Sequence, residues 1–189
     1  MNDVIREGHP NLQKVSEPVE IPLSKEDKTL LIDLLTYVKL STDEANQDNE
    51  AYRPSVGIAA PQVNVLKRMF AVHVHDMDGT LYSYMLVNPE ITEKSQDLIY
   101  LPGGEGCLSV DRETEGLTPR NQSFTMKALR YVEETDTLTP ITLHLSGYIG
   151  IVFQHEFDHL NGILYTQKLF LELPSATPAF ILPQVEDNT

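Results

Sequence analysis

One stretch organises the whole chain: Gln154-His155-Glu156-Phe157-Asp158-His159-Leu160-Asn161-Gly162. In a helix, His155 and His159 stand one turn apart on the same face, because residues four apart are neighbours on an α-helix. Two imidazoles in that arrangement can bind one metal ion. Glu156, next to the first histidine, can carry the proton of a metal-bound water without being a ligand itself. The stretch therefore predicts two metal ligands and a base.

Chance is the alternative explanation for this pair of histidines. Most histidines are surface or half-buried residues, and two of them can fall four apart in an amphipathic helix without a function. The complete His-Glu-x-x-His string on a predicted helix is much rarer and favours the metal interpretation. A metal in an active site usually has three protein ligands and a water. A third ligand must therefore come from elsewhere in the chain.

The composition restricts the class of protein. The chain has 189 residues, which is enough for one domain with a substantial core, and we expect a single catalytic domain over residues 1–189. Lys and Arg number 14 against 28 Asp and Glu, for a formal net charge of −14. Nucleic-acid contacts need clustered cations, so no direct nucleic-acid binding is expected.

The sequence predicts a cytoplasmic protein without a membrane partner. No apolar run approaches the eighteen or so residues that span a bilayer. Residues 1–10 have neither the apolar core of a secretory signal nor the Arg-rich character of a transit peptide. The single cysteine, Cys107, cannot form an intramolecular disulfide, which agrees with a reducing compartment.

Apolar periodicity predicts two helices and a group of strands. The first helix spans about 24 to 40 with Ser24 as its cap, and the central helix spans Tyr148 to about Leu160. Residues 1–23 are expected to lie extended on the surface. Strands are predicted at 68–75, 80–87, 90–94, 97–101, 124–132, 139–146 and 179–182, and residues 163–170 are expected to be extended. This order predicts an α+β fold, with mixed or antiparallel sheets packed around the central helix and with an N-terminal helix.

A second pair of histidines lies in the first predicted strand. His73 and His75 flank one another at strand spacing, and two interpretations compete: a second metal site, or half-exposed strand residues. No cysteine or carboxylate cluster accompanies them, which favours the second.

Two stretches of small residues carry further candidates. Residues 55–62 are Ser-Val-Gly-Ile-Ala-Ala-Pro-Gln, in which the backbone can approach a ligand closely, although a tight turn packed into the core is an equal alternative. Residues 101–111 place three glycines around Cys107. A cysteine in such a turn is a poor core residue, and as a thiolate it would be accessible to a metal.

Together, the three stretches strongly resemble the motifs of the peptide deformylases. That family has a Gly-hydrophobic-Gly-hydrophobic-Ala-Ala-x-Gln motif, a Glu-Gly-Cys-hydrophobic-Ser motif and a His-Glu-hydrophobic-Asp-His-hydrophobic-x-Gly motif. This chain has them in order at residues 55–62, 105–109 and 155–162. Ser55 departs from the pattern, since glycine is usual there. The Gly103-Gly104 pair and the polar loop before Val56 resemble the longer branch of the family, found in Gram-positive bacteria and mycoplasmas.

The resemblance implies a metal site and a reaction. Cys107, His155 and His159 would be the ligands, and thiolate and imidazole suit late divalent ions. The family typically uses Fe²⁺, and Zn²⁺, Ni²⁺ or Co²⁺ can occupy the same site. The implied reaction removes the N-formyl group from the initiator methionine of new polypeptides and releases formate. Metal-bound water would attack the formyl carbon, with Glu156 as general base and then general acid.

The resemblance also implies how the substrate is held. The Gln62 amide and the Leu108 backbone N–H would stabilise negative charge on the formyl oxygen. Gly57 and Gly104 would let the substrate backbone lie alongside as an added strand. The methionine side chain would enter an apolar pocket lined by Val56, Tyr148, Ile151 and Val152.

Three charged residues have two interpretations each. Glu105 and Arg120 would form an ion pair that supports the site, and Asp158 would orient a ligand or its neighbour. Plain structural salt bridges are at least as strong an alternative for all three.

Two other functions compete with the deformylase interpretation. A zinc peptidase also uses His-Glu-x-x-His, but in the metzincin pattern a third histidine falls six residues after His159, where this chain has Tyr165. A catalytically silent relative would bind N-terminal peptides in the same groove, yet every predicted ligand and Glu156 are present. The sequence leaves open the native metal, the oligomeric state and a transient contact with the ribosome.

Overall fold

The computed structural model describes residues 4–49, 51–173 and 175–181. This part of the chain contains two α-helices, α1 at Lys25–Thr42 and α2 at Gly147–Leu160. Helix α1 begins as predicted, because the Ser24 side chain accepts a hydrogen bond from the Asp27 N–H. Both predicted helices are confirmed, and α1 ends two residues beyond the predicted position 40. Neither helix combines the length and the apolar character that crossing a membrane requires.

The described residues form eight strands in two sheets. Their bounds are β1 Gly57–Ala59, β2 Met69–His75, β3 Leu81–Lys94, β4 Leu98–Tyr100, β5 Arg120–Asn121, β6 Ser123–Val132, β7 Thr137–Ser146 and β8 Ala176–Pro178. The larger sheet is antiparallel with the strand order β1-β2-β3-β6-β7, and the smaller sheet has the order β5-β4-β8 with β4 and β8 parallel. The predicted α+β class with mixed and antiparallel sheets is confirmed.

Strand β3 is longer than predicted. The separate strand expected at 90–94 is the second half of β3, which continues through Asn88 and Pro89. Asn88 has a φ of +49°, and the pairing with β6 shifts register between Val87 and Glu90. A proline without an N–H and a residue in the left-handed region are accommodated as a bulge, which bends the strand without ending it. The prediction of two separate strands was therefore wrong.

The C-terminal part also differs from the prediction. Strand β8 lies at Ala176–Pro178, so the strand predicted at 179–182 is wrong in position, and Leu182 falls outside the described residues. The parallel partner β4 fixes this position, since Ala176 faces Leu98 and Pro178 faces Tyr100. Residues 163–170 are not extended throughout, because Tyr165–Lys168 form a short 3₁₀ helix that starts with a Gln167 N–H to Leu164 carbonyl bond.

The two helices pack on opposite faces of the larger sheet. Phe70, Val72 and Val74 of β2 face α2 and pack with its Ile149 and Phe153. The alternate residues of the strand, including Met69 and Ala71, face α1 and pack with its leucines. This alternation is the period-two pattern of a strand that is buried on both sides. It places α2, which carries both histidines of the central motif, directly against the sheet.

The N-terminal segment was expected to lie extended on the surface, and this prediction is wrong. It forms a 3₁₀ helix at Pro10–Gln13 and buries Leu12, which is 1% exposed, and Val19, which is 4% exposed. The Ser16 N–H donates to the carbonyl of Leu160 at the end of α2. The apolar residues of this segment follow no helical or strand period, so periodicity could not predict their burial.

Gly162 is the point where this segment meets α2. Its φ is +71°, and an added Cβ would lie 2.6 Å from the Gln13 carbonyl group. We expect Gly162→Ala to lower the free energy of unfolding by about 2–5 kcal/mol, because a left-handed conformation costs about 1–2 kcal/mol and overpacking about 1–3 kcal/mol. Urea unfolding measures this loss.

Gly79→Ala is the matched control. Gly79 also has a positive φ, +86°, but an added Cβ would meet no atom within 4 Å. This variant should lose only the conformational cost, about 1–2 kcal/mol. Equal losses for the two variants would contradict the packing of Gln13 against Gly162.

Candidate metal centre

Two elements bring the three predicted ligands together. His155 and His159 lie one turn apart on α2, and Cys107 comes from the Gly-rich loop between β4 and β5. One donor atom from each of the three lies within 4.8 Å of the others, and the Cys107 Sγ is 3.4 Å from the His159 Nε2. Among the described residues this is the one His, Cys, Asp and Glu group that could hold a metal ion.

The donor set fits a late divalent cation. The Cys107 Sγ lies within hydrogen-bond reach of the Ser109 N–H at 3.4 Å and the Gln62 Nε2 at 3.5 Å. Burial lowers the pKa of His159 well below its ordinary value, so its imidazole is neutral and keeps a lone pair for a ligand. One sulfur and two nitrogen donors are the ligand types that zinc and its neighbours prefer.

A buried ion pair orients His155. Its Nδ1 is 2.8 Å from a Glu105 carboxylate oxygen, which leaves Nε2 to face the site. Arg120 donates two hydrogen bonds of 2.8 Å to the same carboxylate. The predicted Glu105–Arg120 ion pair is therefore present, and both side chains are at most 3% exposed. Burial alone would raise the pKa of Glu105, but the bonds from Arg120 and His155 outweigh it and hold that pKa at about 2.

Asp158 joins the same ionic network. It accepts hydrogen bonds from Arg120 and, at 2.6 Å, from the Lys168 Nζ. The network thus connects α2, the loop that carries Cys107, and β5. Asp158 contacts no metal ligand through these bonds, so its link to His155 runs through Arg120 and Glu105.

The carboxylate of Glu156 lies in a different environment. The residue is 4% exposed, and its Oε2 has no hydrogen-bond partner among the described residues. Burial raises its pKa to about 7. Gly57 lies against it so closely that an added Cβ would be 2.6 Å from the Glu156 Oε1. The glycine at position 57 is therefore required by Glu156 itself, in addition to any role toward a ligand.

Gln62 has a fixed orientation in the site. It lies in the 3₁₀ helix Ala60–Val63 that follows β1, and its Oε1 accepts a hydrogen bond from the Ala59 N–H at 2.9 Å. Because an N–H faces the oxygen, the amide nitrogen must point the other way, toward Cys107 and Ser109. Gln62 is thus held with its donor facing the site.

A cavity of about 310 Å³ opens beside these groups. Its lining includes the predicted substrate residues Val56, Gly57, Tyr148, Ile151 and Val152, together with Gln62, Cys107, Leu108, His155 and Glu156. The predicted residue Gly104 does not line it. The N–H of Gly104 donates to the Leu101 carbonyl and its φ is +86°, so this glycine shapes a turn.

Sequence reasoning missed several residues of the cavity. Gly106 lines it, whereas Gly104 does not, and the place of Gly106 between Glu105 and Cys107 was the available signal. Arg53 and Ser55 come from the loop before β1. Arg53 donates to the Val110 carbonyl at 2.8 Å, and the Ser55 hydroxyl donates to the Gly57 carbonyl at 2.6 Å. No local pattern indicated either contact.

Three further residues weighed from the sequence are not members of this ligand group. His73 hydrogen bonds to Ser83 at 3.0 Å and His75 is exposed, so the interpretation as strand residues is confirmed. Tyr165 occupies the position of a third metzincin ligand, but its ring stacks on that of His155 with centroids 5.9 Å apart.

Fold and site together define an α+β protein with a buried Cys-His-His group and a helix-borne His-Glu-x-x-His sequence. Residues 1–172 match the family model described as "Polypeptide deformylase", and the chain belongs to this family. Its relatives include the "Peptide deformylase 2" of Geobacillus stearothermophilus, 48% identical over 183 residues and 97% of each chain.

Two further matches agree with this assignment. The "Peptide deformylase" of Oceanobacillus iheyensis is 47% identical over 178 residues, 94% of each chain. The crystal structure of the peptide deformylase from Thermus thermophilus is 29% identical with a TM-score of 0.66, covering 88% of this chain and 84% of that chain. The curated relatives are mostly from Gram-positive bacteria, which agrees with the predicted branch.

The contact between Gly57 and Glu156 can be tested by one methyl group. We expect Gly57→Ala to displace the Glu156 carboxylate, since the side-chain end is the part that can move. If Glu156 takes part in the reaction, a displacement of its carboxylate by about 1 Å can cost about 100-fold in rate, so kcat should fall by about 10–100-fold while metal content is retained. Steady-state kinetics and elemental analysis measure both quantities.

Gly150→Ala is the control on α2 itself. There an added Cβ would make ordinary contact, with its nearest atom 3.5 Å away on the Phe124 ring. Its kcat should stay within about twofold, because a methyl group that fits the available space leaves the position of α2 unchanged. A normal kcat for Gly57→Ala would show that Glu156 can occupy its working position without this close approach.

Proposed function

We propose that this protein removes the N-formyl group from the initiator methionine of newly made polypeptides and releases formate. The observation that carries the proposal is the convergence of Cys107, His155 and His159 beside a buried Glu156 carboxylate that has no partner among the described residues. The family assignment and the names of the relatives support the formyl group as the target. We place this activity in the cytoplasm, where nascent chains are made; contact with the ribosome stays a prediction.

Cys107, His155 and His159 would hold one divalent metal ion. When bound, such an ion polarises a carbonyl oxygen and lowers the pKa of water to near neutrality. We propose Fe²⁺ as the native ion, and the sulfur and nitrogen donors also suit Zn²⁺, Ni²⁺ and Co²⁺. Glu105 is hydrogen bonded to the Nδ1 of His155 and so keeps the Nε2 of that ring directed at the site.

Glu156 would carry the proton that the reaction must move. Its carboxylate takes a proton from the attacking water as the water oxygen bonds to the formyl carbon. It then delivers that proton to the amide nitrogen as the carbon–nitrogen bond breaks. The first products are formic acid and a free amine, and the acid then gives its proton to the amine, so formate and an ammonium group balance the atoms and the charge. The absence of a hydrogen-bond partner among the described residues leaves the carboxylate free for both transfers.

Two donors would stabilise the oxygen of the formyl group. The Gln62 Nε2 faces the site because its oxygen is held by Ala59, and the Leu108 N–H belongs to the turn that carries Cys107. Negative charge develops on this oxygen as the carbon becomes tetrahedral. Loss of one such donor typically costs about 3–4 kcal/mol.

Strand β1 would bind the substrate backbone. The His73 N–H donates to the Val56 carbonyl and Gly57 faces Val72, so the N–H and C=O of Gly57 point away from β2. They lie at the free edge of the sheet, beside the cavity. The carbonyl already accepts a hydrogen bond from the Ser55 hydroxyl, so an extended peptide would pair first with the Gly57 N–H. The apolar side chains of Val56, Tyr148, Ile151 and Val152 would take the methionine side chain.

Replacement of Glu156 tests the proton carrier. We expect Glu156→Gln, in protein purified without oxygen, to lower kcat for a formyl-Met peptide by about 100- to 10,000-fold, the usual contribution of a general base. Metal content should stay at the wild-type level because Glu156 is not a ligand. Released formate and elemental analysis measure the two quantities.

Two controls accompany the Glu156 variant. Glu113→Gln makes the same chemical change at an exposed position and should keep wild-type turnover. The corresponding peptide without a formyl group should stay intact, since a peptidase would cleave it. Normal turnover by Glu156→Gln would refute the proposed role of this residue.

Replacement of Cys107 tests the third ligand. Loss of a hydrogen-bond partner of a metal ligand typically lowers metal affinity about 10–100-fold, and Cys107→Ser should lower it by at least that amount because a ligand itself is weakened. Competition with a chelator measures the affinity. Unchanged metal affinity in Cys107→Ser would exclude the thiolate from the site.

A further inference from the structure

The N-terminal segment contacts all three motifs that build the site. The Ile5 N–H donates to the Gln62 carbonyl at 2.8 Å. The Glu7 N–H donates to the Ser109 carbonyl at 2.7 Å, and the Ser16 N–H donates to the Leu160 carbonyl at 2.9 Å. Gln62 is itself one of the two proposed donors to the formyl oxygen. Ser109 directly follows Leu108, whose N–H is the other.

We propose that Ile5 and Glu7 are positioning residues, whose backbone N–H groups hold the Gln62 and Leu108 donors at the separation that both need to reach one oxygen. This inference rests on the proposed function of those two donors. Ile5 and Glu7 are two residues apart, so their amide nitrogens are at most about 7 Å apart. The two loops that they bind cannot separate without breaking one of these bonds.

The proposal follows from how the two donors are attached. Gln62 follows strand β1 of the larger sheet, and Leu108 lies in the loop between β4 and β5, so no single element fixes their distance. The side-chain bonds from Gln62 itself to the other loop are long, 3.4 Å to Ser109 and 3.5 Å to Cys107. The short bond from Arg53 to the Val110 carbonyl, 2.8 Å, starts from the segment before β1 and does not involve Gln62. The bonds from Ile5 and Glu7, at 2.8 and 2.7 Å, are shorter and are better placed to set the distance between Gln62 and Leu108.

The acceptors of these two bonds are buried. Gln62 is 2% exposed and Ser109 is fully buried. A buried carbonyl that loses its donor is left without a hydrogen-bond partner, which is unfavourable, so each loop is biased toward the bonded position. By comparison, the ion pair of Glu7 with Arg112 is exposed on the arginine side and contributes little to stability. The backbone bonds therefore matter more than the side-chain pairs of the segment.

Proline substitutions test the two bonds. Ile5→Pro and Glu7→Pro each remove one N–H donor, and we expect each to lower kcat about tenfold or more, with KM and metal content within about threefold of wild type. Val15→Pro is the control, because Val15 is 63% exposed and the preceding Lys14 already has the extended backbone that a proline requires. That variant should keep wild-type kcat. Assays are run below the unfolding transition of every variant.

A double-mutant cycle separates positioning from general stability. If Ile5 acts through Gln62, Ile5→Pro should lower kcat much less in a Gln62→Ala background than in wild type. An equal fold-change in both backgrounds would overturn the proposal for Ile5. Wild-type kcat in both proline variants would overturn it for both residues.

Two further measurements keep the outcomes distinct. If a proline variant does not fold, an ester in place of the amide at position 5 or 7 removes the N–H with a smaller perturbation, and the same loss of kcat is expected. If wild-type protein releases no formate, the proposed function fails, whatever the variants show. If Gln62→Ala keeps wild-type kcat while Glu156→Gln does not, the role of the donors fails and this inference fails with it.

Discussion

The structure depends on the burial of one guanidinium group. Arg120 is 3% exposed and lies between two carboxylates, those of Glu105 and Asp158. A buried charge without a partner costs about 3–5 kcal/mol, so these elements cannot move apart independently. Glu105 comes two residues before Cys107, and Asp158 lies on α2 between His155 and His159. The distance between the cysteine loop and the histidine helix is therefore set by an ionic contact that lies behind the site.

Much of the site could be predicted from local sequence. The four-residue spacing of His155 and His159 puts both on one face of a helix, and α2 is that helix. The glycines around Cys107 indicated a thiol that a metal could reach, and the structure buries Cys107 beside both histidines. The motif resemblance pointed to Gln62. In each case the signal lies in residues that are close in sequence. The structure brings the three stretches together at the expected elements, so the fold class and the metal group followed from short patterns.

The remaining features depend on contacts between distant residues. Gly104 and Gly106 look equivalent in the sequence, and only the course of the loop decides which one lines the cavity. The N-terminal segment has no periodic pattern, yet it binds each motif through backbone N–H groups that every non-proline residue has. The bulge at Asn88 and Pro89 looked like a strand end, because the partner β6 that carries the strand onward is more than thirty residues away. Local propensity contains none of this information.

The free edge of β1 has a consequence for the protein's behaviour in a crowded solution. Unpaired strand edges invite pairing with other sheets, which leads to aggregation. Here the edge is three residues long and lies beside a cavity of about 310 Å³, near the lower limit for ligand pockets. So short an edge offers few backbone groups for pairing with another sheet, so β1 is a weaker site for aggregation than a long exposed edge strand would be.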